Sequence, residues 1–237
     1  MKSAEVPLAL LSDLVEVCSE KRVDAARTLN VFARRLREAE RVTKAGRGRG
    51  AARMSYLDGA RFLIACAATD RPERAADAEA VFSNMVWDSE MLSGPRSWLR
   101  KDDAPTLDVA LATLLGAIAH GEVDRYNQAS ARDRADGNSG VLTPPIFDLV
   151  IFRSSVAALI RFPDAEYRFQ HPTMAAVCAA ATYAEQQPLL ESFERETDRF
   201  RSGKNIVVTL EADLLRAMAT IIEGGDLARL TARSDSE

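Results

Sequence analysis

The stretch IFDLVIFRSSVAALIRF, residues 146–162, sets this chain apart from an all-helical protein. It holds two runs rich in aliphatic, β-branched and aromatic residues. Ile146, Phe147, Leu149, Val150, Ile151 and Phe152 come first, and Val156, Leu159, Ile160 and Phe162 follow the small polar pair Ser154-Ser155. Runs of this kind, divided by two small polar residues, predict a β-hairpin. Downstream, six alanines between positions 175 and 184 predict a helix interrupted at Pro188, and residues 189–200 continue in a charged helical pattern. Ile206-Val207-Val208 reads as a last strand. Thr209 then caps a helix over 210–222 that Gly224-Gly225 stops.

Upstream of Pro144-Pro145 the periodicity is helical. Leu8, Leu11, Leu14, Val15 and Val17 or Cys18 predict a helix over 7–19. Ala25, Leu29, Phe32, Ala33 and Leu36 give one face of a second segment starting near Asp24, either one helix or two split around 28–30. Ser55 with Asp58 has the spacing of an N-terminal cap for a helix over 55–68. Asp70 with Pro72 predicts a further capped helix over 73–85, with Gly94-Pro95 as punctuation. Thr106 and Asp108 open an apolar helix that Gly121 closes. Residues 122–140 are polar and charged, almost without large apolar side chains, and read as a linker or mobile loop. The expectation is a helix-rich α+β fold. Residues 1–121 form a helix-turn-helix or winged-helix-like helical part, with a DNA-binding module over about 1–70. Residues 141–237 form an α+β dimerisation or partner domain with a small antiparallel sheet.

Composition is that of a globular chain, with 47% hydrophobic and 28% charged residues. The longest apolar runs fall short of the roughly 20 residues a membrane span needs, and residues 1–20 lack the continuous apolar core of a secretory signal. No membrane association and a cytoplasmic location are expected. Cys18, Cys66 and Cys178 stand far apart among apolar or alanine-rich neighbours, which predicts core packing. His120 and His171 have no ligand-spaced partner, so no metal is expected, and no cofactor motif occurs.

Charge is unevenly spread. The chain carries −4, yet residues 21–53 hold eleven basic against three acidic side chains, a local +8 that leaves −12 elsewhere. Arg34, Arg35, Arg37 and Arg41 lie on or just beyond the second helix, and Lys44, Arg47, Arg49 and Arg53 lie in the glycine-rich stretch KAGRGRGAAR, residues 44–53. Arginines on a helix flank can bond phosphates, and glycines around Arg47 and Arg49 let a backbone enter a narrow groove. These eight residues are the candidate DNA-binding set.

The run ARRLREAERVTKAGRGRGAA (33–52), followed by MSYLDGARFLIACAAT (54–69), resembles the N-terminal module of phage- and prophage-type proteins. It also resembles winged-helix proteins in which a recognition helix runs into a basic wing. The resemblance covers the first third of the chain. Glu40-Arg41 stand where a glycine and an aliphatic residue are usual, and the proline of an AT-hook is absent after Arg49. It implies duplex DNA binding by a transcriptional regulator or phage-type recognition component, with a homodimer or partner contact through the C-terminal part. The alternative is a non-catalytic interaction protein whose basic strip meets an acidic protein. No enzyme is expected: neither histidine lies in a nucleophile motif, and Gly46 to Gly50 lacks the strand and Gly-Lys-Ser/Thr ending of a phosphate-binding loop. Trp87 and Trp98 could form a partner-binding knob or close the helical core, and Phe147, Phe152 and Phe162 fit sheet packing better than base stacking.

Overall fold

Leu14, Val15, Val17 and Cys18 share one helical face, and they are the buried residues of α1 (Leu11–Glu20). Helix α2 (Ala26–Glu38) runs unbroken through positions 28–30 and buries Leu29, Phe32, Ala33 and Leu36. In the computed structural model these helices belong to a described set of residues comprising 9–44, 53–92, 98–126, 128, 147–162, 165–200 and 204–225. Helix α3 (Tyr56–Ala68) begins at a reciprocal cap. The Ser55 hydroxyl accepts from the Asp58 N–H, and the Asp58 carboxylate accepts from the Ser55 N–H at 2.8 Å. A 3₁₀ turn, Pro72–Arg74, leads into α4 (Ala75–Ser83). Asp70 does not cap this turn. Arg71 holds the cap position, and the Asp70 carboxylate is occupied by Arg153.

Val86–Leu92, expected to follow the end of a helix, forms strand β1. Helix α5 (Leu107–Ala119) then buries Leu107, Ala110, Leu111, Leu114, Leu115 and Ile118. Gly121 stands just beyond it with φ +67°, the left-handed conformation that ends a helix without a Cβ clash. The expected hairpin is present. β2 (Asp148–Phe152) pairs antiparallel with β3 (Ala157–Phe162), setting Leu149 opposite Ile160 and Ile151 opposite Ala158. β4 (Ala165–Gln170) continues the meander, and β5 (Val207–Leu210) flanks β2. The sheet order is β1-β4-β3-β2-β5, antiparallel throughout.

Between β4 and β5 stand two helices. α6 (Pro172–Ala179) ends at Ala180, and α7 (Tyr183–Thr197) restarts at Thr182, whose hydroxyl accepts from the Glu185 N–H. The alanine-rich helix therefore breaks at 180–182, and Pro188 lies inside α7 instead of interrupting it. Thr209 is a strand residue. Glu211 precedes α8 (Ala212–Ile222), and Gly224 follows that helix at φ +85°. Gly94-Pro95 lies outside the described residues. No helix among the described residues is long and apolar enough to cross a membrane.

Sheet and helices share one buried cluster. One sheet face presents Ala158, Ile160, Phe162, Ala165, Tyr167 and Phe169 to it, while the opposite face carries the Arg161–Asp148 pair, with N–O distances of 2.8 and 2.6 Å. Trp87 closes the cluster from β1, its ring edge-on to Tyr167 at 5.3 Å and Phe169 at 5.5 Å. Trp98 stacks on Phe162 at 5.2 Å, and its backbone N–H donates to the Tyr167 hydroxyl at 2.6 Å. Both tryptophans are thus packing residues, and Phe147 and Phe162 are buried in the cluster, whereas Phe152, at the end of β2, is only half-buried. The chain on either side of 122–140 is joined by this packing: β1 hydrogen-bonds to β4, α1 packs on α8, Val123 is buried, and Asp124 pairs with Arg216. Composition divides the sequence at that tract, but the core spans it.

A fragment ending at residue 121 would leave β1 unpaired and strip Trp87 of both aromatic neighbours. It should show helical circular dichroism, bind a hydrophobic dye and melt without a sharp transition. A cooperative melt at the temperature of the full chain would refute the shared core.

Candidate nucleic-acid interface

Burial of Leu29, Phe32, Ala33 and Leu36 fixes which side of α2 faces outward. At about 100° per residue, Arg27 and Arg34 fall opposite the buried side and Arg37 on its flank, the three within an arc of roughly 80°. All three are exposed. Arg34 lies 3.7 Å from Glu38 and Arg35 lies 3.2 Å from the same carboxylate, exposed pairs of small energetic weight that a phosphate could displace. Arg27 was not among the candidates drawn from sequence. Its seven-residue spacing from Arg34, two helical turns, is the signal that places it on this face.

Helix α2 ends in a tight left-handed turn. The Glu40 N–H donates to the Arg37 carbonyl at 3.2 Å and the Arg41 N–H to the Leu36 carbonyl at 2.9 Å, the paired bonds of a Schellman closure. Glu40 takes the glycine position with φ +58°, so the turn forms despite the missing glycine, at a cost of about 1–2 kcal/mol. Arg22 plays the same part after α1, also at φ +58°. Val42, one residue beyond Arg41, is buried and holds the exit of the turn against the core.

Arg41 itself faces inward. Its guanidinium makes two bonds to the fully buried Glu79, one from Nε and one from Nη2 at 3.1 Å, and these raise its pKa above the ordinary arginine value. Glu79 also accepts from the Ser83 hydroxyl at 2.5 Å, and Arg61 Nε stands 3.8 Å away. Arg61 donates to Asp108 at 3.0 Å and to the Arg41 carbonyl at 3.1 Å, while Thr106 donates to Asp108 at 2.7 Å. A neutral network of two arginines and two carboxylates therefore ties the exit of α2 to α3, α4 and α5. Of the sequence candidates among the described residues, Arg41 is the one bound to a buried carboxylate.

Lys44 is exposed and pairs with Glu40, which lowers the Glu40 pKa, and Arg53 is exposed. These two bracket residues 45–52. Arg47 and Arg49, with their glycines, lie outside the described residues. The structure thus gathers Arg34, Arg37 and the newly placed Arg27 on one outer face, leaves Arg35 half-buried beside it and turns Arg41 away.

Other candidate residues have internal work. Arg153, in the β2–β3 turn, is buried and donates to the Ala67 carbonyl at 2.6 Å and to both Asp70 oxygens at 2.7 and 2.9 Å. These bonds pull the Asp70 pKa below the usual carboxylate range. His171 caps α6 by accepting from the Thr173 N–H at 3.3 Å, and burial lowers its pKa. Cys18 is buried, which pushes its thiol up to about 12, but Cys178 is exposed instead of core-packed. No protein-family model, no curated protein and no solved structure matches this chain.

Removing Glu79 takes from Arg41 its carboxylate partner and leaves Arg61 with Asp108 alone. Glu79→Ala should cost about 3–5 kcal/mol in urea unfolding, with Arg34→Ala within about 0.5 kcal/mol of wild type. A cost for Glu79→Ala as small as that of Arg34→Ala would show that the network does not hold the helices. The Asp70 shift carries a sign. A carboxyl more acidic in the folded state stabilises above its unfolded pKa, near 4, and loses that contribution as pH falls through the lower folded value. Asp70→Asn should flatten the acid limb of stability between about pH 5 and pH 2, measured by thermal melts. An unchanged acid limb would remove Arg153–Asp70 from the acid response.

Proposed function

We propose that this chain binds duplex DNA through the outer face of α2 and the basic residues flanking positions 45–52. The supporting observation is the exposed arc of Arg27, Arg34 and Arg37, which runs from opposite the buried apolar side to its flank and is carried by a helix whose end is pinned by Glu79. A pinned helix holds the Cα atoms of these arginines at fixed spacing, and each planar fork can meet two phosphate oxygens at once. Lys44 and Arg53 extend the positive surface. Arg47 and Arg49, framed by glycine in the sequence, are the residues proposed to enter a groove. The role this implies is that of a transcriptional regulator or a phage-type DNA-recognition component, with the C-terminal part contacting a second copy or a partner.

Fluorescence anisotropy of the full chain with a random duplex of about 20 base pairs, repeated over a range of salt, tests the reading. Wild type should bind with a steep salt slope. Replacing Arg27, Arg34 and Arg37 together by Ser should flatten that slope by about 0.9 for each phosphate no longer neutralised. Arg41→Ala should lower the melting temperature and leave the slope alone. The double change Arg47→Lys and Arg49→Lys should weaken binding to A·T-rich duplex by about 1–3 kcal/mol with little change of slope. Absence of salt-dependent binding, or equal affinity of the chain for polyglutamate, would overturn the DNA reading and favour an acidic protein partner.

A further inference from the structure

A concave pocket of about 450 Å³ opens where the end of α3, the Pro72–Arg74 turn, which packs against α2, the β2–β3 turn and the end of α7 converge. Arg71, Arg74, Arg153 and Arg199 line it, against the carboxylates of Asp70 and Asp198. Phe200 and Ile206 supply apolar wall. The lining carries a surplus of two positive charges, and every cation in it is an arginine.

The four arginines are not equivalent. Arg153 is neutralised by Asp70, and Arg199 stands 3.3 Å from Asp77 while its guanidinium lies over the Phe200 ring at 4.8 Å. Arg71 and Arg74 have no carboxylate within ion-pair reach among the described residues. Arg74 is nevertheless held in place, its Nη1 donating to the Arg199 carbonyl at 2.8 Å. Against these two cations the lining sets one carboxylate with no ion-pair partner among the described residues, Asp198, so the pocket keeps a positive excess, and a cleft with low-dielectric sides concentrates that field. An anion is drawn to it. Guanidinium forks match the paired oxygens of a phosphate, and the pocket volume falls within the range of small-molecule sites.

We propose that this pocket binds a phosphate-bearing small molecule, with its phosphate group between Arg71 and Arg74. The proposal does not depend on the DNA reading. Because duplex DNA offers the same phosphate oxygens, the test separates the two sources. Inorganic pyrophosphate is titrated into the full chain at constant ionic strength, read by calorimetry and by melting temperature. Wild type should bind and be stabilised. The double variant Arg71→Ser, Arg74→Ser should weaken pyrophosphate binding at least about tenfold, and Lys at both positions should restore only part of it. The triple Ser variant of Arg27, Arg34 and Arg37 should bind pyrophosphate as wild type does. Should the double variant fail to fold, Arg71→Ser alone serves, since Arg71 is exposed and makes no side-chain bond among the described residues. Its pyrophosphate affinity should fall at least about threefold. Failure of wild type to bind pyrophosphate, or undiminished binding by the Arg71 variants, overturns the pocket. Loss of duplex affinity in the Arg71, Arg74 variant without any pyrophosphate binding by wild type would also overturn it, assigning these arginines to the duplex surface instead.

Discussion

A carboxylate with no solvent exposure, Glu79, sets the arrangement of the helices. A buried anion is tolerated only when cations and donors surround it closely. Here one cation comes from beyond the end of α2, a second from α3, and a hydroxyl comes from α4's own last turn. Each donor must arrive from its own direction, so the network selects one mutual orientation of the helices where apolar packing alone would accept several. It also decides what faces solvent. With Arg41 drawn inward, the register of α2 about its axis is held, and Arg27, Arg34 and Arg37 are left exposed.

Much of this fold is legible in local sequence. The Ser55–Asp58 cap, the 146–162 hairpin, and the stops at Gly121 and Gly224 are local signals, and short-range chemistry decides them. β1 was not legible. In VWDSEML the bulge between Trp87 and Ser89 breaks the alternation that marks a strand, and the segment becomes one only by pairing with β4. β4 itself alternates cleanly, with Ala165, Tyr167 and Phe169 inward and Arg168 outward, so period-two counting would have found it. Pro188 misleads because α7 runs on through it, the Ala184 carbonyl forgoing its helical partner, while the break falls at 180–182, where the Thr182 hydroxyl caps the next helix.

For the interface, charge counting located the basic helix and periodicity sorted its faces, but neither could separate Arg41 from its neighbours. Arg41 looks like a surface arginine in sequence because its partner is 38 residues away. Long-range ion pairs leave no local trace. The same limit hid Arg153, whose partner Asp70 reads as a helix cap, and the gathering of Arg71 and Arg74 with Arg199, contributed from distant parts of the chain.

The antiparallel pairing of β1 with β4 bears on how the chain is made. Val86 meets Gln170 and Leu92 meets Ala165, so the first strand to leave the ribosome must wait for the fourth before it can pair. Closing so long an intervening segment is entropically slow, and sheets built from distant pairings fold late. For that interval Trp87 and the unpaired strand edge are open to water, the kind of surface that recruits chaperones or seeds aggregation. A premature stop anywhere before β4 would leave that surface permanently uncovered. Synthesis of the second half is therefore a condition for the first half to become native, aggregation-resistant protein.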